Sequence, residues 1–194
     1  MELHDTHGKR LYLTADERAA FLAAAKNADL PVRTFCLVLH YTGCRISEAL
    51  ALTPAGVDLS GKTIVFETLK KRRRGVYRAV PVPEAVLDTL NMVHGLQGAG
   101  KRRRRATDRT PLWNWSRTTA WRRVKAVLDA ASIADGPHKS PKGLRHGYGV
   151  QAVSTGVPPN MLKKWMGHAS LAVTAIYSDA LGEEQHRIAA RMWE

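Results

Sequence analysis

Cysteine is nearly missing from this 194-residue chain, which has only Cys36 and Cys44. Two cysteines cannot build a disulfide framework or a four-thiolate metal site. Both lie among apolar neighbours, the setting of buried, reduced thiols in a reducing compartment. Acidic residues are scarce too: 17 Asp and Glu stand against 30 Lys and Arg, a net charge of +13. That excess asks for a polyanion, and nucleic acid is the first candidate. An anionic membrane surface fits less well, because no basic helix carries a broad apolar face. No stretch reaches the roughly eighteen apolar residues of a membrane span. The polar segment from Met1 to Arg10 has no apolar signal region, and no internal repeat is visible. What is present is an ordinary hydrophobic share of 44%, enough for the core of one good-sized domain. The expectation is a soluble, cytoplasmic protein.

Local patterns set out the elements. Thr14 with Glu17 reads as a capping box opening a helix to about Lys26. Pro31 starts a second helix through Phe35, Leu37, Val38 and Tyr41, closed near Gly43. Arg45 to Leu52 forms a short third helix, stopped by Thr53-Pro54. The period then changes: Thr63 to Thr68 and Val76 to Val82 alternate like strands, and Val57 to Leu59 adds a short third. Lys70, Lys71, Arg72, Arg73 and Arg74 make a basic hairpin tip between the two long strands. Helix resumes from Glu84 to Val93. Gly95 to Thr110, with Lys101 and four following arginines that include Arg102 and Arg103, reads as a flexible basic loop. Ser116 caps a helix to about Ala131. Beyond Pro141 the chain is helical, with breaks at Gly156 to Pro159 and near Gly167. The fold class predicted is mainly α with one small antiparallel β-sheet, as a single domain over residues 1–194.

Some side chains fit one particular chemistry. A phosphodiester gains negative charge in the transition state of its cleavage, so cations must grip its non-bridging oxygens; the planar fork of arginine suits this. A phenol can attack and form a covalent intermediate where cations favour the phenolate. A lysine can protonate the leaving oxygen. Arg45 opens a helix with Glu48 three residues on, on the same face, placed to hold the guanidinium; alone, the pair reads as a surface salt bridge. Lys142 and Arg145 share a helical face, and alone read as a solvated basic face. His168 follows a glycine between two helices, and Tyr177 lies nine residues beyond it. His146, beside Arg145, reads as structural or supporting. His40 and His138 are given no role. The five tryptophans do not alternate with basic residues as a base-stacking platform would, and most are expected in the core. The run at 101–105 is either a solvated loop or a strip along a nucleic-acid backbone.

Taken together, Tyr-Thr-Gly-Cys-Arg-Ile-Ser-Glu-Ala-Leu (41–50), Gly-Leu-Arg-His-Gly-Tyr-Gly (143–149), Leu-Lys-Lys-Trp-Met-Gly-His-Ala-Ser-Leu (162–171) and Ala-Ile-Tyr (175–177) resemble the phage integrase, or tyrosine recombinase, family. The resemblance runs from about Leu13 to the C-terminus. It implies the catalytic-domain fold of DNA breaking–rejoining enzymes and site-specific recombination through a 3′-phosphotyrosyl intermediate, without a cofactor or metal. By position, Arg45 and Arg145 match the two catalytic arginines, and Glu48 the acidic residue that orients the first. His168 matches the residue that hydrogen-bonds the phosphate, and Tyr177 the nucleophile. Lys142 stands where many members carry histidine and others lysine; its implied part is a phosphate contact or an acid–base group. The general acid to the leaving 5′-hydroxyl is implied on the hairpin, at Lys70 in preference to Lys71. Lys71, Arg72, Arg73, Arg74, Arg102 and Arg103 are expected to bind DNA.

The resemblance implies double-stranded DNA as partner, no membrane, and self-association on DNA: a tetramer in the synapse, a monomer free in solution. It places the protein at a bacterial, phage or plasmid nucleoid. Only about twelve residues precede the first helix, so the chain resembles members made of the catalytic domain alone, without an N-terminal DNA-clamping domain; a truncated chain and a gene remnant are the alternatives. The apolar stripe Ile188, Ala189, Met192 and Trp193 is expected to dock on a neighbouring subunit or on its own domain. Two other readings stand beside the recombinase: a non-catalytic DNA-binding regulator derived from one, and a type IB topoisomerase.

Overall fold

Helix α1 (Ala15–Asn27) begins where the sequence signals it. The Thr14 hydroxyl accepts from the Glu17 amide while the Glu17 carboxylate accepts from the Thr14 amide. This is the computed structural model of the chain, and it describes residues 2–67, 75–96, 110–179, 183–190 and 192–193. Helix α2 (Leu30–Thr42) is buried along nearly all of its second half, from Phe35 to His40. A helix apolar all round belongs in the middle of a fold, and α2 packs against α1, α4 (Glu84–His94) and α6 (Pro141–Ser154). It ends at Gly43, whose φ of +58° is left-handed. A β-carbon there would lie 2.4 Å from the Tyr148 ring, so glycine is required twice over.

Helix α3 (Ile46–Leu50) follows, with Arg45 as its N-cap. Strands β1 (Val57–Asp58), β2 (Thr63–Glu67) and β3 (Tyr77–Pro81) form an antiparallel sheet in that order. Register pairs Ile64 with Val80 and Phe66 with Arg78. Because side chains alternate across a strand, all four of these face inward and are buried. After α4 come α5 (Arg117–Ala130), capped by Ser116, then α6, with Ser140 as N-cap and Pro141 in its first turn. Helices α7 (Pro159–Met166) and α8 (Ala172–Ala175), a 3-10 turn (Ile176–Asp179) and α9 (Glu183–Ala190) complete the described chain.

Two apolar clusters hold the fold. The larger joins α1, α2, α4, α5 and the sheet around Phe21, Phe35, Ile64, Leu90 and Leu128. The smaller gathers Leu3, Tyr12, Val150, Leu162, Met166 and Tyr177 around α6 and α7. Each large side chain buried this way contributes about 1.5–3 kcal/mol. Helix α6 belongs to both clusters, through Leu144 and Val150, and carries functional residues between them.

Most sequence expectations match the described residues. The hairpin tip at 68–74 and the basic loop at 97–109 lie outside them, so Lys70, Lys71, Arg72, Arg73, Arg74, Arg102 and Arg103 receive no structural account. Cys36 and Cys44 are free and buried, and burial pushes both thiols up to about 12. The tryptophans are less uniform than expected. Trp113 is buried, with its Nε1 donating to the Pro31 carbonyl at 2.9 Å. Trp115 and Trp165 pack at the core's edge, whereas Trp121 and Trp193 are exposed. Helix α9 packs on α6 of its own chain, while Met192 and Trp193 stay exposed.

Candidate active site

Arg145 shows how the site is assembled. It lies on α6 and is buried, yet it has no carboxylate partner among the described residues. Its Nη1 donates to the Gly43 carbonyl at 2.6 Å and its Nη2 to the Met166 carbonyl at 2.8 Å. One guanidinium therefore ties the turn before Arg45 to the end of α7, two residues before His168. Burial, with Arg45 beside it, lowers Arg145 to about 10, so it stays charged at neutral pH. Its Nε is buried without a hydrogen-bond partner. The solvated basic face that α6 suggests in isolation is not what forms: Arg145 turns inward, while Lys142, one turn earlier, is exposed.

Arg45 and Glu48 are no surface pair either. The Glu48 side chain is fully buried and the Arg45 side chain 24% exposed. Glu48 Oε1 accepts from Arg45 Nη1 at 2.9 Å, and Oε2 from the Arg45 amide at 2.8 Å. A second guanidinium, not foreseen from the sequence, shares this carboxylate. Arg78 on β3 donates Nη2 to Oε2 at 2.7 Å and Nη1 to Oε1 at 3.3 Å. Its Nε donates to the Trp165 carbonyl at 2.8 Å, and its charge lies 5.1 Å from the Phe66 ring centroid. Burial alone would push the Glu48 carboxyl up, but Arg78 and then Arg45 outweigh it and hold the group below the usual range. A sequence signal for Arg78 existed: it sits two residues before Val80, on the inward face of a strand.

His168 follows Gly167, the residue that ends α7. Its Nδ1 is 3.0 Å from the Thr174 hydroxyl on α8. With Thr174 donating, the ring proton sits on Nε2, which is buried and unpartnered. Burial, then Arg145 and Arg45, lower His168 to about 3, so it is a neutral N–H donor. Thr174 is the second residue the sequence reading missed.

Tyr177 comes to this place from the 3-10 turn and is wholly buried. Its ring stacks on His168, with centroids 5.9 Å apart and planes 19° apart, and lies 6.0 Å from His146. Gly149 makes the seat, since a β-carbon there would fall 2.5 Å from the tyrosine ring. The hydroxyl is buried without a partner. Burial pushes the phenol up to about 12, against the pull of Arg145 and then Arg45. Beside His168 a groove of about 340 Å³ opens, lined by Tyr77, Asn160, Lys163 and Lys164 among others.

A buried phenol, a neutral imidazole N–H and two arginines thus converge within one chain. The phage integrase family model matches residues 11–184. The chain belongs to the phage integrase family. Among relatives in this family, tyrosine recombinase XerD of Mycobacterium leprae is 30% identical over 190 residues, covering 89% of this chain and 58% of that protein. A resolvase of Escherichia coli K12 is 30% identical over 219 residues, covering 99% and 80%. Solved structures agree in fold. The XerA recombinase crystal structure has a TM-score of 0.74 at 23% identity over 94% of this chain and 65% of that one. The catalytic domain of bacteriophage HP1 integrase has a TM-score of 0.61 at 23% identity, covering 87% and 86%. XerH site-specific recombinase, solved bound to its difH substrate, has a TM-score of 0.70 at 19% identity, covering 98% and 60%. The chain therefore spans about three fifths of several of the integrase-family proteins it matches.

Proposed function

We infer that this integrase-family chain is a site-specific tyrosine recombinase acting on double-stranded DNA. The observation that carries the reading is the convergence on Tyr177 of His168, Arg145 and Arg45, with three buried polar atoms left unpartnered: the Tyr177 hydroxyl, His168 Nε2 and Arg145 Nε. Other buried polar atoms lack partners too, among them Arg33 Nε, His40 Nδ1 and both ring nitrogens of His146, so what carries the reading is the clustering of three such atoms with the arginines around one phenol. In this reading the phosphate oxygens accept from Arg145, Arg45 and His168 and the phosphorus meets the phenol. Because the Tyr177 hydroxyl, His168 Nε2 and Arg145 Nε are all buried, DNA binding has to uncover them.

In the step proposed, the Tyr177 oxygen forms a bond to phosphorus as the bond from phosphorus to the 5′-oxygen breaks. The phenol at about 12 is un-ionised at rest, so its proton passes to a non-bridging oxygen of the phosphate as the new bond forms. The departing 5′-oxygen takes a proton from a lysine, for which Lys70, or else Lys71, is proposed. Lys142 is assigned to a neighbouring phosphate. The 3′-phosphotyrosyl bond retains the energy of the bond broken, and reversal onto a partner strand completes exchange. Lys163, Lys164 and Asn160 in the groove, with Lys71 to Arg74, Arg102 and Arg103, are assigned to the DNA backbone. Four copies in the synapse and a nucleoid location complete the reading.

A duplex nicked near its cleavage point tests this, because loss of the short product strand traps the covalent complex. The expected result is a protein–DNA adduct, unaffected by EDTA, with a blocked 3′ end and a free 5′-hydroxyl. Free 3′ ends with no adduct would exclude phosphotyrosyl chemistry. Relaxation of supercoiled DNA without any preferred sequence would favour a topoisomerase.

A further inference from the structure

Two guanidiniums bridge the same pair of segments. Arg145 joins Gly43 to Met166, and Arg78 joins Glu48 to Trp165. On each bridge, one end lies within three residues of Arg45 and the other within three residues of His168. Arg145 is placed at the phosphate by the reading above; Arg78 has no part in it. Yet Arg78 is buried on the inward face of the sheet and spans both oxygens of the carboxylate that holds Arg45.

We propose that Arg78 is a positioning residue of the recombination reaction: through Glu48 it fixes the fork of Arg45, and through the Trp165 carbonyl it fixes the end of α7 from which His168 projects. The geometry argues for placement over simple charge balance. Glu48 already has Arg45 as a counter-ion, and a carboxylate needing only neutralisation would not call for a second fork donating from Nη1, Nη2 and Nε at once. An error of an ångström in a phosphate-gripping arginine costs about a hundredfold in rate. Arg78 borders the groove beside His168, but its guanidinium is occupied by Glu48 and Trp165, so in this account it acts through Arg45 and His168 and not on the reacting atoms.

The proposal rests on the recombinase reading and is tested with Arg78→Lys and Arg78→Met on a nicked duplex recovered by covalent capture with the unaltered protein. An ammonium keeps the charge beside Glu48 but cannot span two carboxylate oxygens and a carbonyl. Arg78→Lys is therefore expected to remain folded, to bind the duplex within about threefold of the unaltered protein, and to form adduct about 10–100-fold more slowly. The pH–rate profile supplies the readout that structural damage would not move. Glu48 is faced by Arg45 from α3, Arg78 from β3, Cys44 from the turn before Arg45, and Arg145 from α6. Removing Arg78 takes away its strongest cation, so in Arg78→Met the acid limb of the profile should move to higher pH. An Ile64→Ala control, cutting the same inward sheet face, should leave that limb in place. Arg78→Lys cleaving at the unaltered rate would overturn the proposal, as would loss of rate with no movement of the limb in Arg78→Met. If the unaltered protein forms no adduct on any duplex, the recombinase reading fails instead.

Discussion

Tyr177→Phe is expected to abolish the covalent adduct while making the protein more stable. Loss of the attacking oxygen leaves nothing to bond to phosphorus, so adduct formation should fall below detection, a drop of at least about 10⁴-fold for a nucleophile. Stability should move the other way for a separate reason. The Tyr177 hydroxyl is buried without a hydrogen-bond partner, and holding such a group out of water costs about 1–3 kcal/mol. Phenylalanine keeps the stacking on His168 and the contact with Gly149 but removes that cost. A gain of about 1–2 kcal/mol, or roughly 2–8 °C in melting temperature, is expected. Thermal melts of the two proteins without DNA, together with adduct gels, check both halves. A variant that loses both adduct and stability would show that the hydroxyl has a structural partner.

Acid should destabilise the protein well above the range in which carboxylates titrate. Burial lowers His40 to about 3, with Arg18 adding to the effect. Burial, then Lys142 and Arg145, lower His146 to about 4, and His168 sits at about 3. In the unfolded chain all three bind protons near pH 6.5. Below that pH the unfolded state takes up protons that the folded state refuses, so stability falls as pH falls, from about 6.5 down to about 3. Glu48 adds to the loss lower still: its depressed folded value gives stability that is present above its unfolded value and disappears on acidification through the folded one. Each buried histidine that the folded protein keeps neutral costs up to about 2 kcal/mol at pH 5, a sizeable part of a domain's usual 5–15 kcal/mol. Urea unfolding at pH 7 and pH 5 measures this, and His40→Asn should remove about a third of the difference. Equal stabilities at the two values would mean that these histidines take up protons in the folded protein.

How much of this was visible in the amino-acid order differs by residue. The capping box at Thr14 and Glu17, the helix stop at Gly43 and the alternation of Thr63 to Glu67 are local, and local physics set them where the sequence put them. Arg45, Arg145, His168 and Tyr177 emerged only as a set, through order and spacing along the whole chain. The fold supplies the reason, since α6 carries Arg145 between the turn before Arg45 and the end of α7. Glu48 was legible as Arg45's partner but not as a buried group, because an i,i+3 spacing says nothing of what covers it. Arg78 and Thr174 were missed for one common reason: each works through contacts that no local pattern announces. Arg78 reaches across 30 residues to Glu48 and 87 to Trp165. Its inward position on β3 follows from the alternation of the strand, but the partners it finds there do not. The hairpin lysines, Lys70 and Lys71, remain known by sequence position alone.

The measurement that bears most directly on the central claim is the identity of the residue that carries the DNA. Adduct trapped on a nicked duplex, digested with nuclease and protease and sequenced by mass spectrometry, should show a nucleotide attached through its 3′-phosphate to Tyr177. The same mass addition on Tyr12, Tyr41, Tyr77 or Tyr148, or on a serine, would contradict the site built here around His168, Arg145 and Arg45.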